Sequence, residues 1–108
     1  MKAVKNTNIT IIHESKDVDN NKARMTRIFS LVTPTVTKKF KMIYRLENGS
    51  SDCNIYVMNS DGEFKIVLDK HDLGHKFACS YVSYPQDKEK DITNAVKLVD
   101  SVVAKVYN

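Results

Sequence analysis

The feature that most constrains the fold is a stretch of strict alternation, Lys38–Leu68, which two turn dipeptides divide into three segments. A period of two places alternate side chains on opposite faces of a β-sheet. Asn48-Gly49 and Asp61-Gly62 supply the positive φ angles that tight turns between antiparallel strands need. The alternating apolar positions are Phe40, Met42, Tyr44, Leu46, Cys53, Ile55, Val57, Phe64, Ile66 and Leu68. The stretch therefore predicts a β-meander of three antiparallel strands.

Further strands are predicted on both sides of the meander. Asn8–Glu14 is apolar and β-branched, which favours a short strand, and the polar segment Ser15–Asn21 predicts a break after it. Ala23–Val32 fits both a strand and an amphipathic helix. We favour a strand there, because β-branched and aromatic residues dominate the segment and Pro34 follows closely. Lys76–Tyr84 resumes the alternation and predicts a last strand.

The segment Asp87–Asn108 has the pattern of an amphipathic helix. Apolar residues recur there at steps of three and four, and polar residues occupy the other side. Asp87 or Asp91 can cap the N-terminus, where acidic side chains also suit the helix dipole. Because valine is a weak helix former, packing on the sheet must stabilise this helix. The apolar stripe comprises Ile92, Ala95, Val96, Val99, Val102, Val103 and Val106.

These elements define an α+β fold, in which an antiparallel meander sheet of about five or six strands carries one C-terminal amphipathic helix on a face. A chain of 108 residues is long enough for one domain, so residues 1–108 are predicted to form a single unit. The face predicted to receive the helix carries Phe40, Met42, Tyr44, Ile55, Val57, Phe64, Ile66, Leu68, Phe77 and Tyr81. The opposite face is predicted to carry Lys39, Lys41, Arg45, Asn54, Tyr56, Met58, Lys65, Val67, Lys76 and Val82.

Composition and charge narrow the class of protein. The net charge is +4, and residues 1–45 hold ten basic and three acidic side chains, whereas residues 46–108 hold seven basic and ten acidic ones. An excess of basic side chains in one half of the chain, here residues 1–45, suggests that the protein binds a polyanion. The N-terminus has no apolar leader and no segment is long enough to span a membrane, so we expect a cytoplasmic protein with two reduced cysteines. The richness in Lys, Asn, Asp, Ile and Val is typical of an AT-rich genome, such as that of a bacteriophage or a low-GC bacterium.

The basic residues of the predicted open face suggest a site for nucleic acid, DNA or RNA. Lys39, Lys41 and Arg45 share one side of a strand, and we expect Tyr56 and Lys65 to lie beside them. Lys and Arg neutralise phosphates, while aromatic rings stack on bases. Arg24 or Arg27 is expected to assist. The alternative is a solvated face whose lysines protect the sheet from aggregation.

A second hypothesis is a protein-binding regulator or inhibitor of phage type, with a host protein as its partner. It would cover a partner's surface with Tyr56, Met58, Val67 and Val82, or would add an edge strand to it. A homodimer that buries the same face is the third possibility.

No motif in the sequence indicates catalysis, a cofactor or a metal. His71, His75 and Cys79 are spaced at four, but Gly74 interrupts them and a strand follows. Asp17–Asn21 resembles the start of a calcium loop, yet the Gly and Glu that such a loop requires are missing. His13, Glu14, Arg24, Arg27 and His75 could be assembled into a nuclease site, but their spacing does not demand it. We therefore predict a binding protein without a cofactor that is not an enzyme.

Overall fold

The computed structural model describes residues 8–20, 22–47, 50–73 and 87–107. Five strands are followed by one helix within these ranges, and the strands pair antiparallel in chain order. The elements are β1 (Asn8–Val18), β2 (Lys22–Val32), β3 (Thr37–Glu47), β4 (Ser50–Met58), β5 (Phe64–Asp69) and α1 (Lys88–Tyr107). The predicted α+β fold, a meander sheet with a C-terminal helix on it, is confirmed.

The β1–β2 hairpin is longer than the sequence suggests. Ser15 to Val18 continue β1 because they pair with β2 as far as Ala23, so the predicted polar break begins only at Asp19. Residues 23–32, whose sequence fits both a strand and a helix, form a strand as predicted. The predicted turn at Asn48-Gly49 and the predicted strand over 76–84 lie outside the described residues.

The turn between β4 and β5 has the geometry that Asp61-Gly62 predicts. Gly62 has a φ of 82°, a conformation that costs glycine nothing. The Asn59 side chain closes the turn, because its Oδ1 accepts hydrogen bonds from the backbone N–H of Asp61 at 2.9 Å and of Glu63 at 3.0 Å. Asn therefore serves here as a local cap, as its short polar side chain allows.

Helix α1 begins at a side-chain cap, as predicted. Oδ1 of Asp87 accepts a hydrogen bond of 3.1 Å from the Lys90 backbone N–H. The buried face comprises Asp91, Ile92, Ala95, Val99 and Val103. Val106 differs from the prediction and is 54% exposed. At this end of the helix Tyr107 packs on the sheet instead, with its ring 5.0 Å from that of Phe40.

The hydrophobic core lies between α1 and one face of the sheet. The helix crosses β1, β2 and β3, so this face is the helix side, and the opposite face is called the outer face. Phe29 and Phe40 stack at 5.5 Å between ring centroids in the middle of the core. The buried apolar residues are Ala23, Met25, Phe29, Leu31, Phe40, Met42, Tyr44, Leu46, Cys53, Ile55, Leu73, Ile92, Ala95, Val99 and Val103.

A β-bulge in β5 changes which side chains reach the outer face. Leu68 lies opposite Ile55, but the register then shifts and Ile66 lies opposite Tyr56. Val67 is the extra residue, and it packs against the core. A single inserted residue reverses the faces of all positions on one side of it. The predicted placement of Phe64 and Ile66 on the helix side was therefore wrong, as was that of Lys65 and Val67 on the outer face.

Candidate functional site

The outer face is the sheet surface that lies opposite the helix, and its side chains follow from the strand register. On β2 and β3 the residues that alternate with the buried positions point to this face, and on β4 and β5 their neighbours in register do so. The outer-face residues of these four strands are Lys22, Arg24, Thr26, Ile28, Ser30, Val32, Thr37, Lys39, Lys41, Ile43, Arg45, Glu47, Ser50, Asp52, Asn54, Tyr56, Met58, Phe64, Ile66 and Asp69.

The ammonium group of Lys41 lies close to two aromatic rings on the outer face. Its Nζ is 5.2 Å from the centroid of the Tyr56 ring and 4.9 Å from the centroid of the Phe64 ring. Tyr56 is opposite Lys41 on the neighbouring strand, and Phe64 belongs to the next strand. An ammonium this close to an aromatic centroid is attracted to the negative face of the ring. We call these three residues the aromatic–lysine cluster.

Partial burial gives the cluster a defined shape. Lys41, Tyr56 and Phe64 are all half-buried, so the rings and the lysine stem support one another while part of each remains in contact with solvent. A lysine held in this way loses less side-chain entropy on binding an anion than a free lysine does. Lys39, two residues earlier on β3, is exposed and lies opposite the uncharged Ser30. The cluster and Lys39 therefore form a basic and aromatic surface.

Arg24 and Arg45 lie towards the other end of the outer face, in a different electrostatic environment. They are opposite each other on β2 and β3, with Asp17 opposite Arg24 and Asp52 opposite Arg45. The row across four strands thus runs acid, base, base, acid, and all four side chains are exposed. The two aspartates offset the repulsion between the arginines. This end of the face is balanced in charge, whereas the surface around Lys39 and Lys41 is basic.

Arg27, which was expected to assist in binding phosphate, is on the helix side of the sheet. Its side chain is 5% exposed, and its Nη1 donates to Oδ1 of Asp100 on α1 at 2.6 Å. Its Nε lies 3.5 Å from Oε2 of Glu14, and its guanidinium lies 4.8 Å from the Phe29 centroid. Arg27 therefore joins the helix to the sheet and is not part of the outer face. The sequence already indicated that Arg27 lies on the helix side, because Arg27 alternates in step with the apolar residues Met25 and Phe29.

Lys65 is also separated from the outer-face residues. The bulge places it opposite Val57, on the helix side, where it is exposed and lies 3.7 Å from Glu63. Of the seven residues expected to contact nucleic acid, the structure brings together Lys39, Lys41 and Tyr56 and places Arg24 and Arg45 on the same face. The third residue of the aromatic–lysine cluster, Phe64, was not predicted to lie on this face, because the alternation of residues in the sequence does not reveal the bulge in β5.

Apolar side chains complete the outer face. Ile28 and Ile43 are half-buried at its centre, Met58 is half-buried beside the β4–β5 turn, and Ile66 is 57% exposed next to Tyr56. A protein surface rarely leaves such a group of side chains in contact with water without a use for them. The outer face therefore combines cations, aromatic rings and aliphatic side chains.

The described residues contain few features of a chemical centre. Burial raises the pKa of the Cys53 thiol to about 12, so it stays protonated and unreactive at neutral pH. His13 and Glu14 point to opposite faces of β1, since neighbouring residues of a strand alternate. Within the described ranges no three His, Cys, Asp or Glu side chains could together hold a metal ion. His75 and Cys79 lie outside those ranges.

The fold and this face define a class, an α+β domain whose meander sheet carries a helix on one side and a mixed basic and aromatic surface on the other. In comparisons with known proteins, no family model matches the chain, and no curated protein or solved structure is significantly similar to it. In the part of the chain that the structure describes, no helix has the length and apolar character needed to cross a membrane.

Proposed function

We propose that this protein binds single-stranded nucleic acid on the outer face of its sheet. The observation that supports the proposal is the aromatic–lysine cluster, in which one lysine ammonium lies within about 5 Å of two partly exposed rings. Aromatic side chains stack on unpaired bases, and lysines neutralise the phosphates that connect them. Lys39 extends the basic surface along β3, and no acidic residue is opposite it in the strand pairing.

The shape of the face favours a single strand over a duplex. Stacking requires bases that are splayed out of a helix, and an open sheet face with two rings on it offers such bases a platform. Duplex binding by contrast relies on a helix or ribbon that enters a groove. Each stacked base is worth roughly 1–3 kcal/mol, so the two rings of Tyr56 and Phe64 are expected to dominate the affinity and the lysines its salt dependence.

A fluorescence-anisotropy titration with single- and double-stranded oligonucleotides tests the proposal. We expect tighter binding to the single strand, and a loss of roughly tenfold in affinity between about 50 mM and 200 mM salt, which corresponds to two or three phosphate contacts. Binding that is absent at the lower salt concentration would contradict the proposal. Equal affinity for duplex and single strand would contradict the stacking mechanism.

Matched variants locate the site. Changing Lys39→Glu together with Lys41→Glu should abolish binding, because it reverses the charge of the basic surface. The control is Lys38→Glu with Lys65→Glu, which alters the net charge equally but on the helix side, and it should reduce affinity only slightly. If both double variants lose affinity to the same extent, binding depends on net charge and the outer face is not the site.

The ring positions have their own test. Phe64→Ala should reduce affinity by roughly 5- to 150-fold, since about 1–3 kcal/mol of stacking is removed. The variant should fold normally because Phe64 is outside the buried core. Phe64→Tyr keeps a ring and should retain most of the affinity, which separates stacking from a general loss of apolar surface.

A second candidate function is binding to a protein partner, and the exposure of Ile66 is the observation that favours it. A side chain that is 57% exposed beside Tyr56 provides an apolar centre for an interface. Affinity capture with the wild type and with Ile66→Asp tests this function. A partner retained by the wild type and by the Lys39→Glu, Lys41→Glu variant, but lost by Ile66→Asp, would support it. A partner that the Ile66→Asp variant still retains would argue against it.

A further inference from the structure

Strand β1 is a long edge of the sheet. It extends over eleven residues, pairs with β2 on one side only, and is exposed from Thr10 to Val18. Among the described residues, no strand pairs with its other side. An unpaired edge presents a row of backbone donors and acceptors to which another strand can add. Ile12 and Val18 leave apolar surface there, at 50% and 40% exposure.

The bulge in β1 limits how much of this edge is regular. The register with β2 shifts between Ile11 and His13, so Ile12 is the extra residue. From His13 to Val18 the pairing with β2 is uninterrupted. A partner strand can therefore extend the sheet along this six-residue segment, and the bulge ends the regular ladder at one side.

The charges of this segment are self-complementary in one arrangement. In an antiparallel pair of identical strands with a two-fold axis at Ser15, Glu14 lies opposite the partner's Lys16, and His13 lies opposite Asp17 in the same way. The first pair is on the helix side and the second on the outer face. The same arrangement brings Val18 of each copy level with Ile12 of the other.

The two-fold axis can also be placed one residue before or after Ser15 with the two outer faces still on the same side of the sheet. Neither of these arrangements pairs unlike charges in this way. An axis at Glu14 places two glutamates opposite each other, and an axis at Lys16 does the same with two lysines. Like charges directly opposite each other destabilise a strand pair, whereas unlike charges stabilise it. The sequence of β1 therefore selects the axis at Ser15.

We propose that β1 is the docking surface for a second copy of this chain, which adds its own β1 antiparallel about Ser15. The two five-stranded sheets then form one continuous ten-stranded sheet. Because the axis is perpendicular to the sheet, both helices lie on one side and both outer faces on the other. The interface is remote from the aromatic–lysine cluster, so it does not depend on the proposed function.

Charge reversal tests the pairing. Lys16→Glu alone and Glu14→Lys alone should each weaken self-association by about tenfold, because each creates two like-charged pairs in the symmetric dimer. A mixture of the two variants should associate again, since every pair then joins a lysine to a glutamate. Sedimentation equilibrium over a range of protein concentrations measures this. A wild type that stays monomeric throughout, or variants that do not recover on mixing, would overturn the proposal.

Folding of these variants has to be checked, because Glu14 also contacts Arg27 and Lys16 also bonds to Glu89 at 2.7 Å. A second test avoids both contacts. Directly opposed residues of an antiparallel pair are about 4.5–5.5 Å apart between Cα atoms, within the range of a disulfide. Ser15→Cys should therefore form a covalent dimer under mild oxidation, and Thr10→Cys, which is exposed on the same strand, should not. Equal cross-linking of the two variants, or none, would contradict the axis at Ser15.

Discussion

At the scale of single residues, burial decides what a charged or reactive side chain can do. Arg27 and Arg24 belong to the same strand, yet Arg27 is buried and pairs with the helix, while Arg24 is exposed on the outer face. A buried guanidinium depends on its partners, because water no longer compensates its charge. Cys53 shows the same effect, since burial, together with the nearby Asp52 carboxylate, raises the pKa of its thiol.

The Arg27–Asp100 pair should contribute measurably to stability. Asp100→Asn removes the charge that Arg27 faces at 2.6 Å and should lower the free energy of unfolding by about 2 kcal/mol. The value is below that of a fully buried pair because Asp100 is 31% exposed. Urea denaturation measures the change. Lys97→Ala, an exposed position on the same helix, is the control and should stay within about 0.5 kcal/mol of the wild type.

Cys53 should make stability depend on pH in the alkaline range. Its pKa in the folded protein is about 12, above the ordinary value of 9.0, so the unfolded chain loses the thiol proton first. Its contribution is fully present below pH 9 and is lost as the pH rises towards 12, at about 1.4 kcal/mol per pH unit. The free energy of unfolding of the Cys53→Ala variant should therefore fall less steeply than that of the wild type in denaturation experiments from pH 8 to 10. Identical slopes would contradict a buried thiol.

At the scale of elements, the β5 bulge decides what the outer face contains. Phe64, Ile66 and Leu68 alternate perfectly in the sequence, but only Leu68 remains on the helix side. The extra residue, Val67, contacts the core, which gives the bulge a packing reason to exist. The consequence is that a second aromatic ring, that of Phe64, lies close to the Lys41 ammonium in addition to that of Tyr56.

A pair of substitutions tests the bulge. Ile66→Thr should change the free energy of unfolding by less than about 0.5 kcal/mol, because the side chain is already 57% exposed. Leu68→Thr should cost about 1–2 kcal/mol, because Leu68 packs against the core. Thermal denaturation compares the two variants. Similar losses would mean that both side chains share the helix side, as an unbulged strand would require.

At the scale of the whole molecule, charge is divided between the two ends of the outer face. Arg24 and Arg45 each lie opposite an aspartate, whereas Lys39 and Lys41 do not. The basic balance of residues 1–45 therefore does not act as one continuous patch. In the proposed dimer the two outer faces lie on the same side of one sheet, so two basic surfaces would be available to one long strand.

This division predicts unequal effects on nucleic-acid binding. Lys39→Ala with Lys41→Ala should reduce affinity for a single-stranded oligonucleotide by roughly tenfold or more and should flatten its salt dependence. Arg24→Ala with Arg45→Ala removes the same charge, but it should cost less than about threefold, because Asp17 and Asp52 already offset it. Anisotropy titrations at two salt concentrations measure both. If the arginine double variant lost more affinity than the lysine double variant, the binding site would lie at the Arg24 and Arg45 end of the outer face.

The sequence by itself determined the elements and their order. The period of two, the Asp61-Gly62 turn and the helical stripe from Ile92 to Val103 are local patterns, and local backbone preferences and amphipathicity are enough to set them. The sequence also placed Lys39, Lys41 and Tyr56 on one face correctly. Only the tertiary structure decided that Phe64 joins them and that Lys65 does not, whereas the alternation of Arg27 with Met25 and Phe29 already indicated that Arg27 lies on the other face. The reason is physical, because a one-residue bulge and the pairing of the buried Arg27 with Asp100 depend on what packs across the sheet and not on the neighbours in sequence.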